Sequence, residues 1–157
     1  MKKIAASLCL ATSCIALPGL AEARPVTLTT QLKSYGGEAA FLAFYVTDAK
    51  GQYKKTLWVA GKKAKYYKNL RDWARGSGLK TAELDGVTGA SVGSGKTLKV
   101  TVELADALID AGYEIRVDSA VEDQRDNPAE VRVPLTTAGA GKPSAGRGYI
   151  ESFQYDM

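Results

Sequence analysis

Ala39-Ala40-Phe41-Leu42-Ala43-Phe44-Tyr45-Val46-Thr47 is apolar at almost every position, with no polar alternation. Successive side chains of a strand point to opposite faces, so a run of this kind predicts a central strand covered on both sides. Asp48-Ala49-Lys50-Gly51 follows as a hairpin turn, with glycine where a positive φ is needed. Gln52 to Val59 returns as the next strand, and Leu57, Trp58 and Val59 suit a pleated surface. Upstream, Arg24 to Ser34 alternates, with Val26, Leu28, Thr30 and Leu32 on one side and Thr27, Thr29, Gln31 and Lys33 on the other. That is the pattern of a half-buried strand, and Tyr35-Gly36-Gly37 turns it toward the central one.

After Gly61 the period changes. Tyr66, Leu70 and Trp73 fall at i, i+4 and i+7, one stripe of a short helix that Gly76 and Gly78 end, with Arg71 and Arg75 in its last turns. Asp85 to Lys96 reads as a loop. Alternation resumes with Leu98, Val100, Val102 and Leu104, and Ala105 to Gly112 forms a turn. Tyr113, Ile115, Val117 and Ser119 alternate with Glu114, Arg116 and Asp118; a polar turn from Glu122 to Pro128 leads to Val131, Val133 and Leu135. Thr136 to Gly148, rich in Gly, Ala and Pro, reads as a mobile loop before a last strand, Tyr149 to Tyr155. About seven short strands separated by turns predict a mainly β fold: an immunoglobulin-like antiparallel β-sandwich, with one short helix inserted between the third and fourth strands.

The N-terminus reads as an export signal. Lys2 and Lys3 precede an apolar run from Ile4 to Leu17, Pro18 and Gly19 break it, and Ala21-Glu22-Ala23 supplies small residues for cleavage. The run is too short to span a membrane. The expectation is a signal peptide at 1–23 and one periplasmic domain at 24–157; a lipoprotein anchored at Cys14 fits less well, because the apolar run continues past it. Both cysteines, Cys9 and Cys14, fall in the predicted leader, and the sequence has no histidine. A mature chain of this kind has no disulfide, no thiolate or imidazole zinc site, no Ser-His-Asp triad and no cysteine nucleophile. Its chemistry must come from carboxylates, Lys, Tyr or a borrowed cofactor.

Asp85-Gly86-Val87-Thr88-Gly89-Ala90-Ser91 is the segment with a chemical signature. A phosphate-binding loop at Gly89 to Thr97 fails on spacing, since Ala90 stands where a Gly is required, and a strand rather than a helix follows. The order Asp-x-x-Thr-Gly-Ala-Ser instead resembles the acceptor motif of proteins that carry flavin mononucleotide (FMN) through a phosphodiester bond made by a flavin transferase. Carried over, Ser91 is the acceptor, with Asp85, Thr88, Gly89 and Ala90 completing the motif; the usual acceptor is Thr. The plainer reading is a tight turn in which Thr88 and Ser91 cap backbone groups.

From Lys50 to Lys80 the chain carries ten Lys or Arg against one acid, Asp72. Cations interleaved with rings suit single-stranded nucleic acid, but export argues against that partner. A positive patch near Ser91 would instead receive a flavin phosphate or steer an acidic redox partner. Glu122, Asp123 and Asp126 read as an ordinary polar turn before they read as a cation site.

The order of these features is similar to that of the predicted periplasmic family called domain of unknown function 2271. The residues that carry the resemblance are Asp48 to Gly51, Thr56-Leu57-Trp58, Leu70-Arg71-Asp72-Trp73, Asp85 to Ser91, Gly112-Tyr113 and Glu122-Asp123. The resemblance implies a periplasmic domain often encoded near flavin transferases and membrane reductase-type proteins. Where many members carry a Trp-Asp-Gly turn, this chain has Ala105 to Ala111. The leading reading is thus an exported domain of an envelope redox system with covalent FMN on Ser91, not an enzyme by itself. The alternative is a cofactor-free interaction module that docks a membrane partner. A hydrolase is disfavoured, because nothing pairs carboxylates across a cleft.

Overall fold

A computed structural model describes residues 22–157. The predicted leader, apart from Glu22 and Ala23, lies outside the described residues. The strands are β1 (Ala23–Leu32), β2 (Phe41–Thr47), β3 (Tyr53–Ala60), β4 (Thr88–Gly89), β5 (Thr97–Ala105), β6 (Glu114–Ala120), β7 (Asn127–Pro134) and β8 (Ile150–Asp156), with one α-helix, α1 (Arg71–Ser77). They form a three-stranded sheet, β5-β1-β8, and a five-stranded sheet, β4-β3-β2-β6-β7. Every pairing is antiparallel except β3 with β4, where Val59 and Ala60 lie beside Thr88 and Gly89 in parallel.

The order is that of an immunoglobulin sandwich with its first strand moved to the end. β1 and β5 stand where strands B and E stand, and β2, β6 and β7 where C, F and G stand. β8 lies beside β1 in the place of strand A, and β3 extends the sheet of β2 rather than joining β5. The connection from β7 to β8 therefore has to cross between the sheets. Thr136 to Gly148, which composition marks as loose, is tied to β8 as it does so: the Gly141 N–H donates to Tyr155 O at 2.8 Å, and Ser144 bridges Phe153.

β2 is buried along its whole length. Leu42, Phe44 and Val46 face the other sheet and pack with Leu28, Val117 and Phe153. Phe41, Ala43 and Tyr45 face outward but are covered by Tyr67, Leu70 and Trp73 of the inserted segment. That segment departs from the single predicted helix. It is a 3₁₀ helix, Ala64–Asn69, then a break at Leu70 (φ −83°, ψ 75°), then α1. A 3₁₀ turn repeats every three residues, so the buried stripe is Tyr67, Leu70, Trp73 and not Tyr66, Leu70, Trp73. Gly78, at φ 62°, ends α1, whereas Gly76 lies within it, pressed against Tyr53.

α1 has no cap from its own chain neighbourhood, since Leu70 offers no side-chain acceptor. Asp118 of β6 supplies one from across the sheet: one carboxylate oxygen accepts the Trp73 N–H at 2.8 Å, and the other accepts the Tyr45 hydroxyl at 2.8 Å and the Ala129 N–H at 2.7 Å. The indole of Trp73 donates to Thr56 Oγ1 at 2.9 Å. The helix is thereby fixed to β2, β3, β6 and β7 at once. Burial pushes the Asp118 carboxyl above the ordinary aspartate range, against the lowering effect of its three donors.

Candidate functional site

β2 and β3 present their ends, Phe41 and Ala60, at one edge of the sandwich, and the Asp85–Ser91 motif crosses that edge. Val59 donates its N–H to Val87 O at 2.8 Å, and Gly61 donates to Gly89 O at 2.7 Å. Three residues later Val92 exchanges both backbone hydrogen bonds with Ala40, at 2.7 and 2.9 Å. Ala90 and Ser91 are the short span between these two anchored points. The loop is therefore open at its tip and fixed at both ends. β4, too short to leave a periodic signal, is what fixes the first end.

Gly89 is dictated by packing. A Cβ there would stand 2.6 Å from Cζ2 of Trp58, so only glycine lets β4 approach β3. We expect Gly89→Ala to destabilise the domain by about 1–3 kcal/mol through overpacking. Amide exchange at Val59 and Gly61 should accelerate in the same variant; unchanged exchange and an unchanged urea midpoint would refute this account of the glycine.

The motif residues separate into two groups. Asp85 and Thr88 are exposed on the outer surface, Gly89 serves the strand pairing, and Ala90 and the half-buried Ser91 line a cavity of about 220 Å³. Neither the Thr88 nor the Ser91 hydroxyl makes a hydrogen bond within the described residues, so neither caps backbone there. Lys62, Lys63, Phe41 and Tyr66 line the same cavity. Glu38 and Glu122 line it too, so the surroundings of Ser91 are mixed in charge, two lysines beside two carboxylates, rather than the positive patch expected.

A second cavity of about 390 Å³ adjoins the first, sharing Phe41, Tyr66 and Glu122 with it and adding Lys65 and Lys68. At the residues they share, the Tyr66 hydroxyl donates to Glu122 Oε1 at 2.5 Å, and its ring stands edge-on to Phe41, with centroids 5.2 Å apart. The bond to the Glu122 carboxylate pushes the Tyr66 phenol upward. Lys65 Nζ lies 4.8 Å from the centre of the Tyr66 ring. A reading of Tyr66 as core misses this position. Its only sequence signal is the interleaving of rings and cations, and the arrival of Glu122 from the turn after β6 leaves none.

The acids after β6 do not converge on one point. Glu122 takes Tyr66, while Asp126 accepts from Asn69 Nδ2 at 3.3 Å and pairs with Arg71 at 3.2 Å. Among the described residues no group of three or more His, Cys, Asp or Glu is placed to hold a metal ion, and no helix is long and apolar enough to cross a membrane.

Fold and groove together define an immunoglobulin-like sandwich domain with a groove at one end that is lined by aromatic rings, lysines and carboxylates, and with a serine hydroxyl in it that has no hydrogen-bond partner among the described residues. The chain belongs to the family described as predicted periplasmic protein (DUF2271), whose sequence profile matches residues 23–152. No curated protein and no solved structure matches the chain.

Proposed function

We propose that this domain is a carrier of flavin mononucleotide, joined through a phosphodiester to Ser91, in an electron-transfer system of the cell envelope. The observation that carries the reading is the Ser91 hydroxyl: without a hydrogen-bond partner among the described residues, between two anchored points, and lining one cavity of the groove. Lys62 and Lys63 line the same cavity as Ser91, with Glu38 and Glu122, and would offset the charge of a phosphodiester there. Phe41 and Tyr66 give a flat ring system aromatic surface to lie against, and the adjoining cavity of about 390 Å³ is within the usual range for small-ligand sites. Flavin would supply the redox chemistry; the protein would hold it, screen its phosphate and set its exposure.

Attachment would join Ser91 Oγ to the ribityl phosphate of a flavin dinucleotide as its pyrophosphate bond breaks; the hydroxyl proton would go to a base on the transferase and adenosine monophosphate would leave. The partners implied are that flavin transferase and a membrane reductase-type protein. The test is co-expression with an active flavin transferase and a denaturing gel viewed under flavin excitation. A fluorescent band at the protein's mass supports the carrier; a dark band, beside a control substrate that fluoresces, leaves the interaction module as the better reading.

A further inference from the structure

The opposite end of β2, roughly 20 Å from the groove at about 3.3 Å per residue, carries a third cavity. It has a volume of about 570 Å³ and is lined by Thr47, Lys50, Arg75, Arg116 and Arg132 and by one carboxylate, Asp72, among others. Arg116 and Arg132 are direct cross-strand partners on β6 and β7. Like charges in that relation repel, so a fold keeps such a pair at a cost unless something negative sits between them. Glu114 compensates only Arg116, pairing with its guanidinium at 3.0 Å, and Asp72 only Arg75, at 3.4 Å. Arg132 and Lys50 have no carboxylate partner among the described residues.

A second observation comes from the cavity floor. Thr47 is 1% exposed, and its hydroxyl has no hydrogen-bond partner among the described residues. It shares the outward face of β2 with Tyr45, the face that lines this cavity. A buried hydroxyl without a partner is costly, and an oxyanion is an acceptor that it could satisfy. Arg116 is held in place as a planar donor, 13% exposed and lying against Gly51.

We propose that this cavity is a binding site for an oxyanion, the phosphate or carboxylate group of a small molecule. Arg116 and Arg132 would provide the paired charge, and Thr47 a hydrogen bond from below. Guanidinium groups match both chemistries in the same forked geometry, so the source of the anion is a question for titration. The site does not depend on flavin at Ser91.

The experiment is a titration of the wild-type domain with inorganic phosphate, and separately with succinate, each against sodium chloride at equal ionic strength. Arginine Nε–Hε resonances and the thermal midpoint are followed together. We expect saturable shifts of Arg116 and Arg132 with at least one of the two anions; the one that binds identifies the chemistry. Arg132→Gln, an exposed substitution, should weaken that binding at least tenfold. Thr47→Val should raise the thermal midpoint of the free protein and also weaken binding several-fold, two opposite effects that a purely structural threonine would not give. Shifts reproduced by chloride, or an Arg132→Gln protein that titrates like the wild type, would overturn the proposal.

Discussion

Asp118→Ala is expected to destabilise the domain more than any other single change at a polar side chain, by about 3–5 kcal/mol. The substitution strands three buried donors at once: the Tyr45 hydroxyl, the Trp73 N–H and the Ala129 N–H. It also uncaps the helix that covers the outer face of β2 and opens a void beneath it. In urea the midpoint should fall by roughly 2 M, given the slope usual for a domain of this size. A drop of less than half a molar, by the same slope, would mean that the helix is held by packing alone.

The same carboxylate sets a pH dependence. Its folded-state pKa is raised above the unfolded one, chiefly by burial. Its protonated form is thus favoured by folding: the contribution is fully present below the ordinary aspartate pKa and is lost as pH rises through the native value. The stability gap between wild type and Asp118→Asn should therefore narrow as pH rises out of the acid range. A gap that widens would reverse the sign and place the carboxyl in an environment that prefers its charge.

The second large effect is functional and leaves the fold alone. Ser91→Ala should abolish covalent flavin while shifting stability by no more than about 0.5 kcal/mol, because its hydroxyl makes no hydrogen bond among the described residues. Ser91→Thr should still accept flavin, since it restores the hydroxyl and matches the residue more usual at that point of the motif. Loss of loading in both variants with unchanged melting would mean that the span between Gly89 and Val92 admits only the smaller side chain.

Much of this architecture was legible because its signals are local. The alternation of Val26, Leu28, Thr30 and Leu32 gives β1 with its buried face correct. The unbroken apolar run of β2 correctly announces cover on both sides. What the pattern cannot tell is what provides the cover. Once the outer face lies under a helix, a polar residue on that face is buried too, which is how Asp118 passes in the sequence for a solvent-facing position. Tyr66 and Tyr67 exchange roles for a similar reason: a 3.6-residue period is the natural assumption, and the break at Leu70 replaces it with steps of three. β4 is set by its fit against Trp58, and the place of β8 beside β1 by a crossing between sheets; neither leaves a periodic trace. Of the motif, the resemblance to a flavin-acceptor sequence names the residues, and only the folded chain brings Ser91 into one cavity with Phe41, Tyr66, Lys62 and Lys63.

The most direct measurement is peptide mapping by mass spectrometry of the protein after exposure to an active flavin transferase. The tryptic peptide Thr81–Lys96 contains Ser91. It should gain the mass of one flavin mononucleotide less water, with fragmentation placing the gain on Ser91, and Ser91→Ala should show none. An unmodified peptide from the wild-type protein, alongside a control substrate that is modified, would contradict the carrier account and leave the motif as the edge of an interaction domain.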